Sequence, residues 1–149
     1  MKKLLPLIIM LFITGIAQAN NGLVSVKSAH DVKTTADRLE AVLKKKGMTV
    51  FARIDHAKGA KSVGNDLRPT ELVIFGNPKI GSVLMGCAQT IGIDLPQKAL
   101  IWKDGGGQVW LSYNEPTELA KRHRLPGCGK VIQKVTGALG NFAKAATKP

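Results

Sequence analysis

Few side chains in this sequence are suited to proton transfer or nucleophilic attack, and they are scattered. Among 149 residues there are three histidines and two cysteines. The best polar pair is Asp55-His56, which closes an apolar–polar alternation running from Met48. A histidine oriented by a carboxylate is the usual form of a general base or a metal ligand. Adjacent strand residues point to opposite faces, so Asp55 and His56 do not pair with each other. His56 would need Asp66, Asn77, Tyr113 or His123 brought to it across the fold. The favoured alternative is a structural, hydrogen-bonded histidine at a strand end. If the chain is an enzyme, His56 is its general base, with Asp55 or Asp66 assisting.

Other chemistries find less support. A zinc-type site needs three or four ligands at suitable spacing. His30, His56 and His123 are far apart and neither cysteine belongs to a C-x-x-C pair, so no metal site is expected. No G-x-S-x-G elbow is present. Gly105-Gly106-Gly107 lacks the Lys-Ser/Thr of a phosphate loop and is not followed by a helix pattern, so it reads as a hairpin turn. No cofactor is expected. The candidate binding residues are Arg68, Asn77, Trp102 and Tyr113. Trp102 and Trp110 would face each other across the hairpin, near Lys98, Lys103 and Arg122, as an aromatic and basic patch suited to an anionic or planar ligand or to another subunit. Core and interface packing is the plainer account of the same aromatics.

These residues are positioned by elements legible in the pattern. Leu23 to Lys27 alternates as a half-buried strand does. Ser28 to Asp31 has the form of a capping box, and Val32, Ala36, Leu39 and Leu43 recur at helical spacing up to Gly47. Lys44, Lys45 and Lys46 suit the negative end of that helix's dipole. Met48 to His56 is a second strand, with Val50, Ala52, Ile54 and His56 on one face. Ala57 to Leu67 reads as an irregular connection with at most a helical turn. Glu71 to Gly76 is the most apolar strand and is taken as central. Asn77-Pro78 then starts a helix bearing Ile80, Leu84, Cys87 and Ile91. Gly81 and Gly86 weaken it by up to about 1 kcal/mol each and mark either close packing or a loose helix. Lys98–Lys103 and Gln108–Tyr113 make the hairpin. A short helix is predicted at Thr117–His123 and an amphipathic one through Val131, Val135, Leu139 and Phe142. The tail Thr147-Lys148-Pro149 is expected to be disordered. Strands linked by hairpins, with helices gathered on one face, indicate an α+β fold.

The address is written at the start. Lys2 and Lys3, the apolar run Leu4 to Ile16 and Ala17-Gln18-Ala19 have the three parts of an export signal, with cleavage expected after Ala19 and a periplasmic destination. The apolar run is short for a bilayer span and no second one follows, so no membrane span is expected once the signal is gone. Residues 20–149 then form one domain. Losing the two signal lysines takes the formal charge from +12 to +10. Such a charge favours anionic ligands and acidic surfaces. Nucleic acid is its usual partner, but export argues against that. In an oxidising compartment Cys87 and Cys128 are expected to form a disulfide, although two separate buried thiols are the alternative.

Four ordered stretches, Ile54–His56, Arg68–Pro78 (RPTELVIFGNP), Ile93–Trp102 (IDLPQKALIW) and Val109–Pro116 (VWLSYNEP), resemble the domain of unknown function 302 family. The resemblance spans about residues 23–143. It implies a TBP-like arrangement, an antiparallel sheet packed on a long helix in the order βαββββα, and a homodimer. It implies no activity. Two functions follow as expectations: an exported, non-catalytic ligand-binding or interaction module, or a small periplasmic enzyme built on His56. The site is expected at the ends of the Glu71–Gly76 strand, near His56.

Overall fold

The computed structural model describes residues 22–149. The proposed export signal, residues 1–19, lies outside them. The strands β1 (Leu23–Lys27), β2 (Thr49–Asp55), β3 (Thr70–Gly76), β4 (Gln97–Lys103) and β5 (Val109–Asn114) form an antiparallel sheet in the order β1-β5-β4-β3-β2. The helices are α1 (Val32–Lys45), α2 (His56–Ser62), α3 (Pro78–Cys87), α4 (Pro116–His123) and α5 (Gly129–Thr147), with a 3-10 turn at Gln89–Ile93. The α+β expectation therefore holds. The most apolar strand, β3, is interior, but β4 holds the centre.

Helix α1 forms because Val32, Ala36, Leu39 and Leu43 lie on one face and are all buried. Each leucine so placed contributes roughly 1.5–3 kcal/mol of apolar transfer free energy. Its cap is Asp31, whose side chain accepts from the Thr34 amide. Ser28, read as the cap from sequence, instead shares a hydrogen bond with the buried Thr35 hydroxyl at 2.7 Å. The main core joins α1 and α5 to one face of the sheet through Val73, Phe75, Ile101, Leu111 and Tyr113. A smaller core of Leu84, Ile91, Cys128 and Ile132 fastens α3, the 3-10 turn and α5 together.

Other expectations also fail for physical reasons. The connection after β2, expected to be irregular with at most a helical turn, begins with the seven-residue helix α2, which Asp55 caps. The alternation of β2 breaks at a bulge: Val50 pairs with Phe75 and Ala52 with Ile74, leaving Phe51 as the extra residue. Beyond it the faces exchange, so Arg53, not Ala52 or Ile54, shares the helix-covered face with Val50. The tail is not free. Thr147 ends α5 and is buried, and its carbonyl accepts from the Ala29 amide. The Lys148 carbonyl is hydrogen-bonded to the His30 ring and to Arg38.

Candidate functional site

The strand-end pair is dispersed by the fold. Asp55 caps α2, its Oδ1 accepting from the Lys58 amide at 2.8 Å. His56 is the first residue of that helix, not the last of a strand, and is exposed. None of Asp66, Asn77, Tyr113 or His123 is hydrogen-bonded to it among the described residues. Arg68 donates from Nε to the Lys103 carbonyl. Tyr113 is buried in the main core, where burial and then Glu115 push its phenol pKa up. Trp102 lies on the opposite face of the sheet. There it stacks on Trp110 at 6.5 Å, as their direct pairing across the hairpin requires, and donates to the Ser112 hydroxyl. Lys27 sits 5.6 Å over Trp110. Arg68, Tyr113, Trp102 and Asn77 therefore do not share a site.

Of these four, Asn77 lines a groove. A groove of about 490 Å³ opens between α3 and α5, beyond the C-terminal end of β3. The α5 wall is Lys134, Val135, Ala138, Leu139 and Phe142. The facing wall is built from α3, including Ile80, Gly81, Leu84 and Met85, while Phe51 and Pro96 close the sheet end. The Asn77 side chain starts α3 by accepting from the Lys79 amide, and Pro78 supplies the fixed φ of the first turn. Gly76 is closely approached here: a Cβ would stand 3.3 Å from the Phe51 ring and 3.4 Å from Pro96. Gly81 is not a close-packing glycine, since a Cβ there meets nothing within 4 Å and would project into open space. The wall helices are tied by a disulfide between Cys87 and Cys128, with Cα atoms 6.4 Å apart.

The groove lies at the Gly76 end of β3, whereas the sequence pointed to a site near His56, at the other end. Asp55 pairs with Glu71, and the groove begins at Gly76. Five residue steps along β3 separate them, about 17 Å at the usual rise. In the sequence, Val135, Leu139 and Phe142 mark only the apolar side of an amphipathic helix. Periodicity identifies which side of a helix is apolar, and it cannot show that part of that side is left open.

One polar constellation escaped the sequence reading. His123 is hydrogen-bonded through Nε2 to Asp94 Oδ2 at 2.6 Å and through Nδ1 to the Thr90 hydroxyl at 3.1 Å. Its side chain is 6% exposed, and Arg122 also reaches Asp94. Both ring nitrogens are occupied, and the cluster pins the 3-10 turn to α4. Among the described residues no group of three or more His, Cys, Asp or Glu side chains is placed to hold a metal ion. No helix among them is long and apolar enough to cross a membrane.

The family model for "Domain of unknown function DUF302" matches residues 24–142. The chain belongs to the DUF302 family. A DUF302 protein of Bacillus stearothermophilus, solved as a crystal structure and described as uncharacterized, superposes with a TM-score of 0.77 over 86% of this chain and 99% of its own, at 19% identity. That similarity concerns the fold. The DUF302 chain is also 55% identical over 129 residues, 85% of its length, to proteins named "Fluoride-specific ion channel FluC 1" in Brucella suis biovar 1 and Brucella abortus biovar 1. The match spans only about half of those relatives, 50% and 47% of their lengths.

Proposed function

We propose that this DUF302 domain is a non-catalytic binding module whose site is the groove between α3 and α5. The observation that carries the proposal is the groove's chemistry. About 490 Å³ of space is bounded almost wholly by apolar side chains, with Lys134 the one charged residue in the lining. Ligand cavities run from about 300 to 1,000 Å³ and are mainly apolar with a few polar groups. No histidine, carboxylate or thiol enters the lining, and its hydroxyl and amine, Ser82 and Lys134, have no partnering base among the described residues to activate them. An enzyme built on His56 has less support, because that imidazole is exposed and far from the groove. In the same proposal the protein is exported and dimeric. The residue 1–19 pattern supports export. The partly exposed row of Ile54, Leu72 and Leu100, paired across β2, β3 and β4 on the face opposite the helices, supports a second copy.

Native mass spectrometry of the protein purified from its own compartment tests this. A retained small-molecule mass, lost on Gly81→Phe, is the expected result. A clean unliganded mass together with no partner on gentle crosslinking would sink it.

A second reading rests on the half-length match. A stretch 55% identical to this chain makes up about half of proteins named for a fluoride channel, which supports association of this DUF302 domain with such a channel. Co-expression with a FluC-type channel and affinity capture through a tag on this chain tests it. Absence of the channel from the captured material counts against it.

A further inference from the structure

Building on the groove proposal, we infer that the occupant is a single-chain amphiphile with one anionic head, a monomeric alkyl carboxylate. Its head lies at Lys134 and its chain runs toward Phe142. The groove has a direction. Lys134, Val135, Ala138, Leu139 and Phe142 follow one side of α5, so the cation stands at one end of an apolar track eight residues long. That is about 12 Å at the helical rise. Met85 and Ile80 on the other wall and Phe51 at the sheet end extend the apolar surface and are each more than a third exposed, which leaves the track accessible from solvent.

The sign of the head follows from the walls. Neither α3 nor α5 contains an aspartate or glutamate, while together they carry Lys79, Lys130, Lys134 and Lys144. None of these four lysines is ion-paired among the described residues. A cationic head would meet only like charge, whereas an anionic head gains an ion pair with the exposed Lys134 that a neutral chain does not. A single ammonium is a point charge with three donors, which matches a carboxylate of unit charge. Its aliphatic stem can lie along the same apolar wall.

Calorimetric titration with decanoate, decanol and decyltrimethylammonium, each below its aggregation limit, tests the inference. The proteins compared are the wild type, Lys134→Met, Gly81→Phe and, from the opposite wall, Ala138→Leu, each checked for folding by circular dichroism. Decanoate is expected to bind about fivefold more tightly than decanol, the upper range for one exposed ion pair, and decyltrimethylammonium more weakly than either. Lys134→Met is expected to bring decanoate down to decanol, and each folded groove-filling variant to weaken all binding. Equal binding of decanoate and decanol by the wild type, or a preference that survives Lys134→Met, overturns the anionic head and leaves the apolar groove standing. No binding of any probe, or binding undiminished by both groove-filling variants, overturns the groove as well. So does a shift from dimer to monomer in Gly81→Phe by sedimentation, which would mark the groove as an interface between copies.

Discussion

Cys87, the last residue of α3, is bonded to Cys128, the residue that precedes α5, so one covalent link holds the two walls of the groove at their adjoining ends. The link closes 41 residues of chain. Cys128 and its neighbours Leu84, Ile91 and Ile132 are buried together, so the bond sits within a small apolar core.

Reduction, or the Cys87→Ala/Cys128→Ala variant, is expected to lower unfolding stability by about 2–4 kcal/mol. Urea melts with and without reductant measure it. Labelling of both thiols in unreduced, denatured protein would show that the bond is absent from the isolated protein.

The bulge at Phe51 has a consequence of its own. It turns Arg53 toward α1, where Nε and Nη2 both reach Glu71 Oε2, at 2.8 and 2.7 Å, and Nη1 meets Asp37. Arg53→Met is expected to cost about 1–3 kcal/mol, since it strips the charged donor from a partly buried carboxylate. Removing Lys33, the other partner of Asp37 and mostly exposed, should cost less than about 1 kcal/mol. Equal losses in the two variants would contradict the role given to Arg53.

The same cluster sets a pH response. Lys33 and then Arg53 hold the Asp37 carboxyl below its ordinary 3.8, and Lys44 holds that of Glu40 below 4.5. A pKa lower in the folded than in the unfolded chain gives stability that is complete above the unfolded value and is lost as pH falls through the folded one. Thermal melts are therefore expected to change little on account of these groups from pH 7 to pH 5 and to fall below about pH 4. The decline should be shallower in Asp37→Asn. An equally steep decline in that variant would place the acid sensitivity elsewhere.

Deletion of residues 147–149 removes the Thr147 carbonyl that caps Ala29 and the Lys148 carbonyl that receives His30 and Arg38. Loss of these bonds and of a buried residue is expected to cost about 1–3 kcal/mol, several degrees in Tm for a domain of this size. An unchanged melting temperature would show that the tail contributes nothing.

The sequence by itself determined the fold class and most of the elements, α2 excepted. Helix α1, the capped start of α3 at Asn77-Pro78 and the Trp102–Trp110 hairpin were legible because each depends on neighbours within a few residues: a period, a cap or a turn. The pairing of Cys87 with Cys128 was limited to one choice by the count. The four ordered motifs were enough to point to the family. Only the tertiary structure decided where a site could be. The Phe51 bulge exchanges the faces of β2, and a shift of one residue in a period-two pattern reverses every side chain beyond it. Asp55 caps α2, so His56 is the exposed start of a helix and not the end of a strand. The Thr90–His123–Asp94 cluster joins residues about thirty apart that no local pattern connects. The groove depends on the distance between α3 and α5. An apolar stripe has the same sequence whether its neighbour touches it or stands a ligand's width away.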